Sequence, residues 1–361
     1  METASAHVHS PWHPHHLEGF GHMTEIYRVS SPSNIAFLKY WGKKDPLLQW
    51  PANDSLSMSL NTLATKTTAY IHDAADHLFQ FQGESLTREH KSFHKVFKHL
   101  DYLSDTFGFA EKLAFSSSNS FPTGAGVASS ASGLSALTLS AIACWTHSAT
   151  FDELEKKGFS REHIAHLSRI GSGSAGRSLF GGYVHWQAGT HADKQKIIPL
   201  YSASHWNLHD TVALFSHDEK SKSSTAAHGD AWSSPLFSPR IAGAPERLQA
   251  MLKALHHRDM ASLGPLLETE ALDMHAVMMT TRPPQHYLTT ESTEFLSAFR
   301  RARQDGVFEA YFTIDAGPNI HIIHEASQTP ALHSWLKEFY PNLSLLSDKV
   351  GEGPSLERGM I

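Results

Sequence analysis

The sequence predicts an α+β chain of two lobes, because strand and helix patterns occur in separate groups rather than in regular βα alternation. Short patterns of alternating or β-branched residues are scattered through the first half, and three long helical patterns stand together between residues 244 and 304. A chain of 361 residues suits one large or two moderate domains. No internal repeat is visible.

The elements follow in order along the chain. Strand segments alternate or are rich in β-branched residues, and helical segments repeat apolar residues at helical spacing. The first half is predicted to contain strands at 25–29, 56–60, 67–71, 113–117 and 183–186, and helices at 86–103, from the Gly/Ser-rich run at 122–133 to about His147, and at 161–170. The second half is predicted to contain strands at 211–215, 311–315 and 320–324, helices at 244–256, 260–279 and 293–304, and a polar loop at 220–234 near the boundary between the lobes.

The whole-chain composition excludes several classes. The formal net charge is −6, and positive and negative residues are interspersed along the chain. The sequence therefore has no basic segment that would indicate a nucleic acid or an anionic membrane as partner. No apolar run reaches the roughly 20 residues that span a bilayer. A single cysteine, Cys144, cannot form an internal disulfide, which favours a reducing cytoplasm. Residues 1–22 are rich in histidine and lack apolar periodicity, so we expect a disordered tail or a tag.

The run 122–133 places two glycines and four hydroxyls before an apolar helical pattern. Gly124 and Gly126 allow a tight turn and close approach of the backbone, and the unpaired N–H groups of a first helical turn attract phosphate. The run lacks both the Gly-Lys-Ser/Thr end of a P-loop and the G-x-G-x-x-G spacing. It indicates a phosphate site, with a Gly/Ser-rich loop before a core helix as the open alternative.

Three other segments have the composition of active-site loops. In 33–43, Lys39 and Lys43 are placed to face an anion, although an edge strand with lysines that extend to solvent has the same pattern. In 171–182, Arg177 is the only charged residue. This favours a role in binding a carboxylate or phosphate over the alternative, an arginine that stabilises its own loop. In 311–319, Asp315 ends an apolar strand, where it is either a base beside a reacting hydroxyl or a turn residue.

Together these segments resemble the mevalonate diphosphate decarboxylases of the GHMP kinase superfamily. The matching residues are 33–43, 119–130, 177–182 and 315–319, with weaker similarity at 274–277 and 283–284. The Lys-Tyr-Trp-Gly-Lys and Asp-Ala-Gly-Pro-Asn segments are typical of the decarboxylase branch. The resemblance implies a GHMP-kinase-like fold: a ribosomal-S5-like lobe at 23–205, a ferredoxin-like lobe at 206–361, and a site in the cleft between them. It also implies a homodimer.

The resemblance implies a reaction in which ATP and Mg²⁺ convert mevalonate 5-diphosphate to isopentenyl diphosphate, carbon dioxide, ADP and phosphate. Asp315 would orient and deprotonate the 3-hydroxyl, with Lys39 beside it, and Arg177 would fix the substrate carboxylate with the help of Asn34. The remaining assignments are Tyr40, Lys43, Ser223 and Ser224 to the diphosphate, Pro122, Gly124, Gly126, Ser129 and Ser130 to ATP, and Ser129 to the metal.

The chain departs from the family pattern at three places. Gly124 stands where alanine is frequent, Gly176 stands where a cysteine commonly precedes the arginine, and the loop after Lys220 lacks an arginine that some members use for the diphosphate. The last difference leaves open a decarboxylase of mevalonate monophosphate, or a kinase that phosphorylates the 3-hydroxyl and stops. A catalytically idle paralogue would have lost residues among the acid, the arginine and the first lysine, and none is lost.

Overall fold

The computed structural model describes residues 24–90, 93–122, 127–215 and 224–361, and of residues 224–226 only the backbone. The predicted tail at 1–22, the loop residues Gly124 and Gly126, Ser223 and the side chain of Ser224 lie outside the described residues. Among the helices in these ranges, none combines the length and the apolar character that a bilayer crossing needs.

The elements of the first half form a mixed sheet, the helices packed on it, and a separate two-stranded sheet made by the second and third strands. In chain order they are β1 (Glu25–Leu38), β2 (Lys43–Asp45), β3 (Trp50–Pro51), β4 (Ser55–His72), β5 (Leu78–Phe81), β6 (Glu84–Leu86), α1 (His94–Phe107), β7 (Lys112–Asn119), α2 (Ser129–Trp145), α3 (Phe151–Lys156), α4 (Arg161–Gly171), a 3₁₀ helix (Gly173–Leu179), β8 (Tyr183–Gln187) and β9 (Lys196–Tyr201).

The second half contains most of the helices and a smaller sheet. Its elements are β10 (Leu208–Leu214), α5 (Ser224–Asp230), a 3₁₀ turn (Ala231–Ser233), α6 (Phe237–His257), α7 (Met260–Met279), α8 (Thr290–Gln304), β11 (Ala310–Thr313), β12 (Ile320–Glu325), α9 (Thr329–Phe339), β13 (Ser344–Lys349) and β14 (Ser355–Met360).

Two long strands, β1 and β4, organise the larger sheet, whose main path runs β14-β1-β4-β7-β5-β6. β4 pairs with β8 near its start and with β7 in its second half, and β9 extends the sheet from β8. The prediction of two strands at 56–60 and 67–71 is wrong, because β4 is continuous. A bulge between Pro32 and Asn34 of β1 faces the exposed, polar residues Asn61 and Thr62, which interrupt the apolar pattern without ending the strand.

Helix α2 is buried on nearly all sides, as expected for a helix in the centre of a lobe. It packs against β1, β4 and α4. It begins at Ser129 and ends at Trp145, just before the predicted His147. Burial raises the pKa of the Cys144 thiol to about 12, so this cysteine remains an unreactive thiol at neutral pH. The rigid helix fixes the position of its first residues, which become important at the site.

The smaller sheet confirms the ferredoxin-like fold. Its four strands are antiparallel in the order β11-β12-β10-β13, so that the fourth strand lies beside the first, followed by the third and the second. Helices α6, α7 and α8 connect the first two strands, and α9 connects the last two. This is the β-α-β-β-α-β arrangement.

Several sequence-based boundaries are wrong for identifiable reasons. The predicted helix at 86–103 begins only at His94, since Leu86 ends the short strand β6. Helix α6 begins at Phe237 and contains Pro245, a residue typical of a first turn, near which the prediction began. The predicted loop at 220–234 contains α5 in its described part, where tertiary burial of Ala227 and Ala231 stabilises a helix built from small residues.

The C-terminal part of the chain is tied to the larger sheet in two ways. β14 pairs antiparallel with β1, from Ser355 opposite Ser30 to Met360 opposite Glu25. The buried carboxylate of Asp348, on β13, accepts the backbone N–H groups of residues 61, 62 and 63 at 3.1, 2.9 and 2.8 Å. These bonds hold the irregular middle of β4, which has no β1 partner there.

We expect the Asp348→Asn variant to lower the free energy of unfolding by about 2–4 kcal/mol, because the amide cannot accept all the backbone donors that the charged carboxylate satisfies. Chemical denaturation measures the change. Asp305→Asn, at an exposed helix end, is the matched control. Equal stability of the two variants would contradict the structural role of Asp348.

Candidate active site

A cavity of about 770 Å³ is lined by residues of β1, the loop after β1, α1, the start of α2, the end of α4, the 3₁₀ helix at Gly173–Leu179, α5, α7 and the segment after β11. It therefore brings together all four segments that the sequence analysis singled out. Of the predicted site residues, the cavity is lined by Lys39, Tyr40, Lys43, Ser129, Ser130, Arg177 and Asp315.

Lys39 and Asp315 form an ion pair in the wall of the cavity, with 2.6 Å between the Lys39 Nζ and the Asp315 Oδ1. The lysine side chain is 2% exposed and the aspartate 27%. Burial lowers the pKa of Lys39, and the neighbouring carboxylate opposes this shift. The partly exposed carboxylate of Asp315 therefore lies at the cavity with one oxygen held by the lysine, in a position that a general base can occupy.

The backbone of Lys39 is held by a second, fully buried ion pair. Its N–H donates to the Glu270 carboxylate at 3.0 Å, and its carbonyl accepts from Arg240 at 2.9 Å and from Asn53 at 3.1 Å. Arg240 also pairs with Glu270 and, at 3.0 Å, with Asp273. Because α6 and α7 supply these groups, the second lobe fixes the position of a lysine that belongs to the first.

The position of Asp315 is fixed by the strand that precedes it. β11 is wholly buried, as is Ile314, so the chain enters the cavity wall in a defined direction. The carbonyl of Asp315 accepts hydrogen bonds from His275 on α7, at 3.1 Å, and from the N–H of Gly317, at 2.8 Å. The turn that the sequence suggested is therefore present, but the carboxylate faces Lys39.

Arg177 is buried, and Asn34 and Ser55 orient its guanidinium. Its Nε and Nη2 donate to the Asn34 Oδ1 at 3.1 and 2.8 Å, and its Nη1 donates to the Ser55 Oγ at 2.6 Å. The Asn34 amide donates to the Ser178 Oγ at 2.7 Å, which fixes the orientation of the amide. Burial lowers the pKa of Arg177 to about 10, so the side chain is cationic at neutral pH. Asn34 thus orients the arginine from behind the cavity wall.

The glycine before Arg177 has a packing reason in this chain. A Cβ added at Gly176 would lie 2.2 Å from the Ile197 side chain and 2.7 Å from the backbone oxygen of Ala165. No side chain fits there unless the neighbours move. The departure from the family's cysteine is therefore compatible with the local structure and leaves the arginine in place.

Tyr40 and Lys43 lie at another part of the cavity. A Cβ on Gly173 would lie 2.5 Å from the Tyr40 hydroxyl, so the absence of a side chain allows the phenol to pack there. Burial raises the pKa of Tyr40, which therefore stays protonated. Burial, with a smaller contribution from Lys95, lowers the pKa of Lys43 to about 8. Part of the positive charge at the cavity therefore titrates near pH 8.

The serine hydroxyls of the Gly/Ser run lie at the start of α2. Ser129 and Ser130 are exposed in the first turn and line the cavity, and Ser172 donates to Ser130 at 3.3 Å. Pro122 is exposed and is not among the lining residues. The start of this helix satisfies the general requirements of a phosphate site.

In the described ranges, no cluster of three or more histidine, cysteine, aspartate or glutamate side chains has the geometry of a metal site. A Mg²⁺ ion that takes most of its ligands from phosphate oxygens and water needs few protein ligands. Ser129, exposed at the cavity, offers a hydroxyl for such a site.

Sequence reasoning missed the residues that hold the site from behind. Glu270, His275 and Ser55 act through tertiary contacts. The available signals were the weak family similarity at 274–277, which includes His275, and the acidic residues within the largely apolar helical pattern 260–279, of which Glu270 is one. Ser178 directly follows Arg177, but only the fold shows that it orients Asn34.

Fold and site define a protein of the GHMP kinase fold, with a helix start suited to phosphate and an acid–lysine pair in one cavity. Two family models match the chain: the diphosphomevalonate decarboxylase-like N-terminal domain over residues 31–198, and the mevalonate 5-diphosphate decarboxylase C-terminal domain over residues 211–357. The chain belongs to the diphosphomevalonate decarboxylase family.

Individual relatives agree. The diphosphomevalonate decarboxylase of Candida albicans is 35% identical over 328 residues, which cover 86% of this chain and 88% of that protein. A structure of the mevalonate diphosphate decarboxylase from Enterococcus faecalis has a TM-score of 0.83 and 27% identity, and covers 94% of this chain and 100% of its own. A structure described as MDDEF in complex with MVAPP, AMPPCP and magnesium has a TM-score of 0.84 and 28% identity, with the same coverage.

We expect anion binding to weaken as the pH rises through about 8, because Lys43 is cationic below its pKa and neutral above it. Calorimetric titration with inorganic pyrophosphate measures this: the dissociation constant should be flat below pH 7.5 and rise above pH 8. In the Lys43→Arg variant the charge persists to far higher pH, so the break should disappear. An unchanged break in that variant would assign the titration to another group.

Proposed function

We propose that this protein catalyses the ATP-dependent decarboxylation of mevalonate 5-diphosphate to isopentenyl diphosphate, with release of carbon dioxide, ADP and phosphate. The observation that carries the proposal is the Lys39–Asp315 ion pair in the same cavity as the buried Arg177, in a chain of the diphosphomevalonate decarboxylase family. ATP is a second substrate and Mg²⁺ the cofactor. A cytoplasmic homodimer remains a prediction from the sequence.

Asp315 acts as the general base. Its ionised carboxylate accepts the proton of the tertiary 3-hydroxyl, whose oxygen forms a bond to the γ-phosphorus while the bond to ADP breaks. Lys39 stays paired with the carboxylate and offsets the charge that develops during the transfer. The hydroxyl, a poor leaving group, is thereby converted to a phosphate, a good one.

Arg177 binds the substrate carboxylate and holds it in line for loss as carbon dioxide. When the phosphate leaves, cationic character builds at C3, and the electron pair of the breaking carbon–carboxylate bond forms the new double bond. The Arg177 contacts with Asn34 and Ser55 keep the guanidinium rigid. A donor that is already rigid loses less conformational entropy when the substrate binds than a mobile one does.

The remaining residues bind phosphate groups. Tyr40 and Lys43 bind the substrate diphosphate, and Ser223 and Ser224 add to this contact. The start of α2 and the run before it bind the ATP phosphates, and the Mg²⁺ ion neutralises phosphate charge when bound. The residues proposed for ATP are Pro122, Gly124, Gly126, Ser129 and Ser130, with Ser129 also proposed for the metal.

The decisive assay incubates the protein with ATP, Mg²⁺ and mevalonate 5-diphosphate and follows ADP and carbon dioxide separately. We expect the two products in equal amounts. ADP without carbon dioxide would identify a 3-kinase, and turnover with mevalonate monophosphate alone would identify a monophosphate decarboxylase. If neither mevalonate 5-diphosphate nor the monophosphate yields ADP or carbon dioxide, an enzymatic function of this kind is contradicted.

The Asp315→Asn variant should fold and bind ATP but lose turnover by about 100-fold or more, because the amide cannot accept the proton. Steady-state kinetics and a nucleotide titration measure the two effects separately. Asp193→Asn, at an exposed position, is the control. Near-normal rates in Asp315→Asn would assign the base to another group.

A further inference from the structure

His228, on α5, is enclosed by two aromatic rings of the loop after β1. Its ring is stacked on Tyr40, with centroids 4.4 Å apart and an interplanar angle of 20°, and it lies 4.3 Å from the Trp41 ring centroid. The residue is 5% exposed and lines the cavity. A histidine between the two aromatic residues of the site was not anticipated from the sequence.

The tautomer of His228 follows from its one hydrogen bond with the backbone. The Gly42 N–H donates to the His228 Nδ1 at 3.1 Å, so Nδ1 is an acceptor and the proton of the neutral ring is on Nε2. Gly42 is fixed in turn: its φ is +83°, and an added Cβ would lie 2.4 Å from the Phe237 ring. The direction of the Gly42 N–H, and hence of the ring, is set by the fold.

The Nε2 atom of His228 has no hydrogen-bond partner among the described residues, and it is not one of their fully buried, unpartnered polar atoms. The residue lines the cavity, and Nε2 is the ring nitrogen that the Gly42 N–H leaves free. Burial, helped by the charges of Lys43 and Lys95, lowers the pKa of His228 well below its ordinary value. The ring is therefore a neutral donor at physiological pH.

We propose that His228 is a substrate-binding residue whose Nε2–H donates a hydrogen bond to an anionic oxygen of the substrate diphosphate, beside Lys43. The inference rests on the proposed function and deepens it, since it adds a neutral donor to the group that selects the diphosphate. A hydrogen bond to a charged oxygen in a water-poor site is among the stronger ones. Stacking against Tyr40 and Trp41 holds the donor in place.

Three variants separate donation from packing. His228→Phe keeps a stacked ring without a donor, His228→Asn keeps an acceptor within reach of the Gly42 N–H but has no donor at the Nε2 position, and His228→Gln places an amide donor near that position. If His228 donates to substrate, Phe and Asn raise the KM for mevalonate 5-diphosphate about ten-fold or more. Gln recovers at least part of the loss, and the KM for ATP changes less than two-fold in all three.

The contrary result is specific. His228 would be assigned to packing alone if the substrate KM of His228→Phe stays within two-fold of wild type. The same conclusion would follow if all three variants weaken substrate binding, weaken ATP binding and lower the thermal unfolding temperature to a similar extent. If His228→Phe does not fold, the comparison of Asn with Gln decides the question.

Calorimetric titration of mevalonate 5-diphosphate in the absence of ATP distinguishes failure of this inference from failure of the proposed reaction. Binding by the wild type that weakens in Phe and Asn supports the role of His228 whether or not turnover occurs. Equal binding by all four proteins, or no binding by the wild type, overturns that role. Absence of products with intact, His228-dependent binding overturns only the decarboxylation.

Discussion

The arrangement of the site depends on the position of Lys39, whose ammonium is buried and paired with Asp315 at 2.6 Å. A buried cation is stable only with a partner. The lysine comes from the loop after β1 and the aspartate from the segment after β11, so the pair exists only when the two sheets are assembled. Glu270 and Arg240 fix the lysine backbone from the second lobe.

The same separation of tasks occurs at each part of the cavity. Residues placed to touch substrate have few degrees of freedom, because buried groups behind them hold their polar atoms: Asn34 and Ser55 hold Arg177, and the Gly42 N–H holds His228. Such preorganisation lowers the cost of binding and of charge development in the transition state. Close packing around the site also accounts for the glycines beside it. At Gly42, Gly173 and Gly176, an added Cβ would collide with neighbouring groups.

The basic side chains of the cavity differ in the pH range over which they are charged. Arg177 is cationic throughout the physiological range, Lys43 titrates near pH 8, and His228 is a neutral donor. Burial is the first cause of all three shifts, because each side chain is placed in a wall with little access to water. The cavity therefore offers a polyanion permanent charge, pH-dependent charge and a directional hydrogen-bond donor.

The sequence by itself determined the class of the protein, the four segments of the site and most of its proposed residues, because hydroxyls, glycines and charges at fixed local spacings carry the chemistry. It also determined the α+β class and the long helices, whose apolar periodicity is local. Only the tertiary structure decided that β4 is one strand, that 224–230 is a helix and that Glu270, Ser55 and His228 belong to the site. These features depend on burial and on partners more than 100 residues away in the chain, such as Arg177 for Ser55, and no local pattern encodes them.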